Sequence, residues 1–175
     1  EQYLTFNAGM IVGGTEVSYD VDAAAGDAFG KTNVVPRDVI VAGGIRTISQ
    51  DQLERAQNAM REVVEQHLPH TGASIEFDEG YPAMAPTDGN QALLDLYNEG
   101  SADLGLGTLQ VLDPSMRGAA DISFAAPYVD GLAGLGAVGS GAHSPEEQVD
   151  LASIAVQAKR AALLMYRLTR AAPIS

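Results

Sequence analysis

The sequence predicts an α+β fold in two parts. Three observations carry that expectation: short strand-like runs fill the first 48 residues, one strongly amphipathic helix follows them, and a strand-like segment returns after the helix. Strands, then helix, then strand is the order of an open sandwich with helices on one side of a mainly antiparallel sheet. A proline- and glycine-rich break then separates this part from a second of different texture.

The strand runs are Tyr3-Leu4-Thr5-Phe6, Met10-Ile11-Val12, Glu16-Val17-Ser18-Tyr19 and Val39-Ile40-Val41, with Gly and Asn between them. At Ser49 the period changes. Ser49 and Gln52 read as a capping box, and Leu53, Ala56, Met60, Val63 and Val64 share one helical face. Pro69 is expected to stop that helix, and Ser74-Ile75-Glu76-Phe77 to return as a strand. Residues 81–90, with two prolines and a glycine, are the linker candidate. Beyond it a helix carries Leu93, Leu94, Leu96 and Tyr97, followed by the run 108–112 and by two Gly/Ala-rich loops around Asp121 and His143. The last helix places Ile154, Ala158, Ala161, Met165 and Leu168 on one face. Its acids come early and its bases late, as the helix dipole favours.

At 175 residues, 46% of them hydrophobic and 19% charged, the chain can bury a core and reads as globular. Its net charge of −13 repels phosphate backbones and anionic lipid, so neither nucleic acid nor membrane is an expected partner. With no cysteine, disulfides and thiolate metal sites are excluded and the compartment stays open. Position 1 is Glu, from which we expect the chain to begin inside a longer translation product or at a processing site.

The most informative segment runs from Gly139 to Glu147. His143 closes a glycine-rich loop beside an apparent helix start, with Ser144 as cap, Pro145 at the first helical position and Glu147 completing a capping box. A helix dipole there would favour neutral imidazole, the form that ligates a transition metal, although a solvated loop histidine is the commoner explanation for such a residue. Asp121 either approaches a ligand from behind small residues or caps a turn. Arg46 and Asn33, read as lying on adjacent sheet edges, suit a carboxylate, although a surface ion pair is the commoner fate of an arginine. His67 and His70 suit a helix C-terminus. Gly134-x-Gly136-x-x-Gly139 matches a dinucleotide fingerprint only as text, for no clean strand precedes it. No Gly-x-Ser-x-Gly elbow is present.

Taken in order, several of these segments resemble one family. They are Gly30 to Pro36, Ile45-Arg46-Thr47, Glu79 to Ala83, Gly118-Ala119-Ala120-Asp121 and Gly141-Ala142-His143-Ser144-x-x-Glu147. The chain is similar to the C-terminal half of zinc-dependent metallopeptidases of the aminoacylase, glutamate carboxypeptidase, acetylornithine deacetylase and succinyl-diaminopimelate desuccinylase family. The resemblance implies most of a βαββαβ-like dimerisation lid over 1–83, lacking its N-terminal elements. After it, 84–175 would be the end of an α/β catalytic domain.

The resemblance further implies two zinc ions, with cobalt or manganese as alternatives, activating a water that cleaves an amide beside a free carboxylate. His143 would be a metal ligand. Asn33 and Arg46 would bind the substrate carboxylate or oxyanion, reaching across a homodimer, and Gly118 would offer backbone contacts. The substrate would be a small peptide or an N-acyl amino acid. Two departures stand out. Tyr81 replaces the arginine of glutamate-specific members, and the His-x-Asp pair and the Glu-Glu pair that supplies the base are missing. One ligand cannot hold zinc, so the chain alone is expected to be inactive, with exposed sheet edges and apolar faces in its second half. The rival reading is a non-catalytic dimerisation or binding module with a degenerate form of the fold.

Overall fold

The computed structural model describes residues 1–170. The chain divides into two compact units, 1–77 and 78–175.

The first unit is built on a long antiparallel ribbon. Strand β1 (Thr5–Gly14) pairs with β4 (Asp38–Arg46), and β2 (Glu16–Asp20) pairs with β3 (Ala25–Phe29). Thr5 and Phe6 of the first predicted run merge with Met10–Val12 into β1, Tyr3 and Leu4 lying before it, while β3, with its weakly apolar Ala25-Gly26-Asp27-Ala28-Phe29, carries no strand signal. Thr15 makes β1 and β2 nearly one bent strand, its amide and hydroxyl both donating to the Phe29 carbonyl at 2.8 and 3.0 Å. The return path leaves the ribbon at Phe29 and rejoins it at Asp38, where the Arg37 amide donates to the Gly14 carbonyl. Gly14 is required at this corner, because a Cβ there would lie 2.5 Å from the Phe29 carbonyl oxygen. A register shift between Ala8 and Met10 bulges β1 around Gly9.

Helix α1 (Gln50–Val64) begins as its cap predicts. The Ser49 hydroxyl accepts from the Gln52 amide at 3.2 Å, and the Gln52 side chain reaches back to the Ile48 amide. Ala56 is buried and Leu53, Met60 and Val64 are half-buried, so most of the predicted face is turned inward. The helix ends at Val64, five residues before Pro69, so the proline does not stop it. Ser74 to Phe77 form no ladder with any described residue, which corrects the expected strand. Phe77 instead lies under the Arg61 guanidinium, 4.9 Å from its ring centre.

In the second unit, α2 (Asp88–Asp103) packs on α3 (Leu151–Arg170). Tyr97 (2% exposed) and Ser101 (0%) sit at the contact. Arg160 ties the pair together by donating to the Ser101 hydroxyl, the Gly107 carbonyl and the Gln157 amide oxygen, each at 3.0 Å. Asn98 exchanges two hydrogen bonds with the Leu109 backbone, holding the run 108–112 by a side chain instead of a ladder. The stripe expected to form a core, Ile154, Ala158, Met165 and Leu168, is exposed, and only Ala161 is half-buried. The face of α3 turned inward carries Ser153, Gln157, Arg160, Leu164 and Arg167 instead.

Candidate functional site

The second unit holds the residues with the most chemical specificity. Strands β5 (Gly139–Ser140) and β6 (Gln148–Val149) form a short antiparallel hairpin, and residues 141–147 are its loop. The hairpin is riveted to the first turn of α3. The Val138 amide donates to the Ser153 hydroxyl at 2.8 Å, and the Asp150 amide donates to the Val138 carbonyl at 2.8 Å. A shallow depression of about 330 Å³ lies against the two strands, lined by Val138, Gly139, Ser140, Gln148, Val149 and Asp150.

His143 stands exposed at the turn of this loop with φ 64°, two residues after Gly141 with φ 68°. Tyr3, Ala24 and His70 share this left-handed conformation, which histidine adopts more readily than most non-glycine residues. The predicted helix start at Ser144 is corrected. Ser144 accepts from the Glu146 amide and donates to the Gly141 carbonyl, closing the loop on itself. The helix begins at Leu151, where Asp150 accepts from the Ala152 amide at 2.9 Å and takes the capping role. The dipole acts only within the first turn, and His143 lies outside it.

Asp121 holds no histidine. It opens a 3-10 turn, Asp121–Phe124, and accepts a hydrogen bond from the Tyr81 hydroxyl at 3.0 Å. The carboxylate beside it raises the Tyr81 phenol above its ordinary pKa, first through that hydrogen bond and then through its charge. The Tyr81 ring also leans on Phe124, with centroids 5.1 Å apart at 58°. Gly118, three residues before Asp121, faces open space. Ser123 in the same turn is 4% exposed, and its hydroxyl has no partner among the described residues. The Tyr81–Asp121 pair has no signal in sequence, because its members are forty residues apart with no shared period.

In the first unit, Asn33 lies on the 30–37 excursion, outside the ladders, and Arg46 pairs with Thr5 at the far end of β4. Eight residues of strand separate Arg46 from the point where the excursion rejoins, about 26 Å at the usual rise. The two are not brought to adjacent edges. His67 and His70 are exposed beyond the end of α1, and the glycines at 134, 136 and 139 lead into β5 instead of a helix.

The profile of peptidase family M20/M25/M40 matches residues 4–167. The chain belongs to that family. Among solved structures, this M20 chain is similar to the YXEP protein of Bacillus subtilis, described as a dinuclear metal binding peptidase from the M20 family. The TM-score is 0.64 and the identity 21%, over 97% of this chain and 43% of that one. The chain thus spans less than half the length of that structure. No curated protein matches it. The metallopeptidase resemblance read from the sequence is borne out at the level of the family, and the mixed α/β class with it.

A metal does not fit the donors this chain supplies. Among the described residues no group of three or more histidine, aspartate or glutamate side chains could hold an ion, and His143 has no hydrogen-bond or ion-pair partner. Bound zinc in catalytic sites takes three protein ligands.

Proposed function

We propose that the chain is the C-terminal part of an M20 metallopeptidase or amidohydrolase that cleaves an amide or peptide bond beside a free carboxylate. In this reading His143 is one ligand of a two-metal centre, with zinc as the metal, and the other ligands and the general base lie outside these 175 residues. The observation that carries it is the family match over 4–167 in a chain whose own donors leave His143 alone. The exposed apolar stripe of α3 supports it, since such a face is built to be covered by structure the chain does not contain.

Residues 1–83 are proposed as the dimerisation lid and 84–175 as the end of the catalytic domain. The separation of Asn33 from Arg46 supports a role for them in different protomers of a homodimer, one reaching the partner's substrate while the other serves its own. Gly118, open on its surface side, would present its backbone to a small peptide or N-acyl amino acid. The chain alone would be inactive.

Recovering the flanking coding sequence and assaying the complete protein with N-acyl amino acids and dipeptides tests this. Hydrolysis lost on His143→Ala is expected. A flanking sequence without His-x-Asp and Glu-Glu segments would leave the non-catalytic module as the better reading.

A further inference from the structure

We infer that Ser153 is a positioning residue for His143: its hydroxyl clasps the two ends of the 138–150 loop and so fixes where the loop presents the imidazole. The consequence for hydrolysis rests on the peptidase reading above, whereas the clasp rests on geometry.

One hydroxyl meets both ends of the loop. It accepts from the Val138 amide at 2.8 Å, where the chain enters β5, and donates to the Asp150 carbonyl at 2.6 Å, where the chain leaves β6. The Asp150 amide closes the ring by donating to the Val138 carbonyl at 2.8 Å. A serine in the first turn of a helix can bond back to a nearby carbonyl, and that bond alone would make Ser153 a local device of α3. The donor from Val138, fifteen residues upstream, is the part that a local device does not need. Ser153 is 7% exposed, so loss of its hydroxyl would leave the Val138 amide facing a methyl group in place of an acceptor.

From the clasp to the histidine the backbone has little slack. Gly139 and Ser140 pair with Val149 and Gln148, and a Cβ at Gly139 would lie 2.5 Å from the Gln148 carbonyl oxygen. A Cβ at Gly141 would lie 2.8 Å from the Glu146 carbonyl oxygen, so the two sides of the loop stay close up to its tip. Across the tip, the Ser144 amide and hydroxyl both donate to the Gly141 carbonyl, and the Glu147 amide donates to the Ser144 carbonyl. Below the clasp, α3 is itself tied to α2 by Arg160. The loop is thus a stem hydrogen-bonded at each level from α3 towards His143. A tilt at its base becomes a displacement at its tip, and small displacements of a reacting group are costly.

Two experiments test it. In the 175-residue chain, Ser153→Ala is expected to speed exchange of the Val138 amide by about 5–10-fold and to shift the NMR signals of His143. Ser153→Thr, which keeps the hydroxyl, should leave both as they are. Asp150→Ala removes the side chain that caps α3 but keeps the backbone clasp, so it should weaken the helix without moving His143. His143 signals unmoved by Ser153→Ala, moved equally by Asp150→Ala, or not preserved by Ser153→Thr overturn the inference. In the complete protein, Ser153→Ala should lower kcat for an N-acyl amino acid about 10–100-fold and change KM by less than about twofold, with Ser153→Thr restoring kcat. An unchanged kcat, or a fall that the threonine does not reverse, overturns it. If the complete protein cleaves neither N-acyl amino acids nor dipeptides, the peptidase reading fails, and the exchange and shift measurements still decide the clasp.

Discussion

Helices α1 and α3 carry apolar stripes of the same period and turn them in opposite directions. In α1 the stripe through Ala56 is directed inward and its cap is the one its sequence announces. In α3 the stripe through Ile154 and Met165 faces out, and the side turned to α2 is held by Arg160, Gln157 and Ser101 through hydrogen bonds. An apolar stripe says that a face is made to be covered. It does not say that the cover belongs to the same chain. The difference teaches that α1 is anchored by its apolar side, whereas α3 is anchored by its polar one and leaves its apolar side exposed.

The largest effect should come from the contact that the second unit does own. Tyr97→Ala removes a fully buried ring and should cost about 3–5 kcal/mol in chemical denaturation, melting α2 and α3 while α1 keeps its helical signal. If α1 melts with them, the two units are not independent in stability. Arg160→Ala removes three donors at once and should cost about 1–3 kcal/mol by the same measurement. Capping substitutions sharpen the contrast at the next scale. Ser49→Ala and Asp150→Ala should each cost about 1 kcal/mol, whereas Ser144→Ala should leave the circular dichroism of α3 unchanged.

Smaller still, Ile154→Glu and Met165→Glu should change the stability of the 175-residue chain by less than about 0.5 kcal/mol. In the complete protein the same substitutions should be severe, because there the stripe would be covered. The smallest effect is one of pH. Arg55 and Gln52 hydrogen-bond the Glu1 carboxylate and lower its pKa, so the folded value lies below the unfolded one. The tether it contributes is present above the ordinary glutamate range and is lost as pH falls through the lowered value, which amide exchange at the start of α1 would register.

Much of the fold was legible, for physical reasons that differ by element. The Ser49 cap and the α1 stripe are local, so sequence reports them faithfully. Strand β3 was silent because its alanines and glycine carry no β preference and its pairing is imposed by the hairpin. Ser74 to Phe77 has the composition of a strand but no partner among the described residues, and composition cannot supply one. At His143 the motif was legible and its setting was not: Ser144-Pro145-x-Glu147 has the letters of a helix cap, yet the loop closes on Gly141 and leaves the cap to Asp150. The Tyr81–Asp121 pair is a purely tertiary fact, since forty residues separate its members and no shared period links them.

The central proposal is that His143 is one metal ligand whose companions lie outside these 175 residues. Calorimetric titration of zinc into the 175-residue chain, followed by metal analysis after dialysis, tests it most directly. The account predicts no stoichiometric zinc retained. One or two equivalents held through dialysis, and lost on His143→Ala, would contradict it.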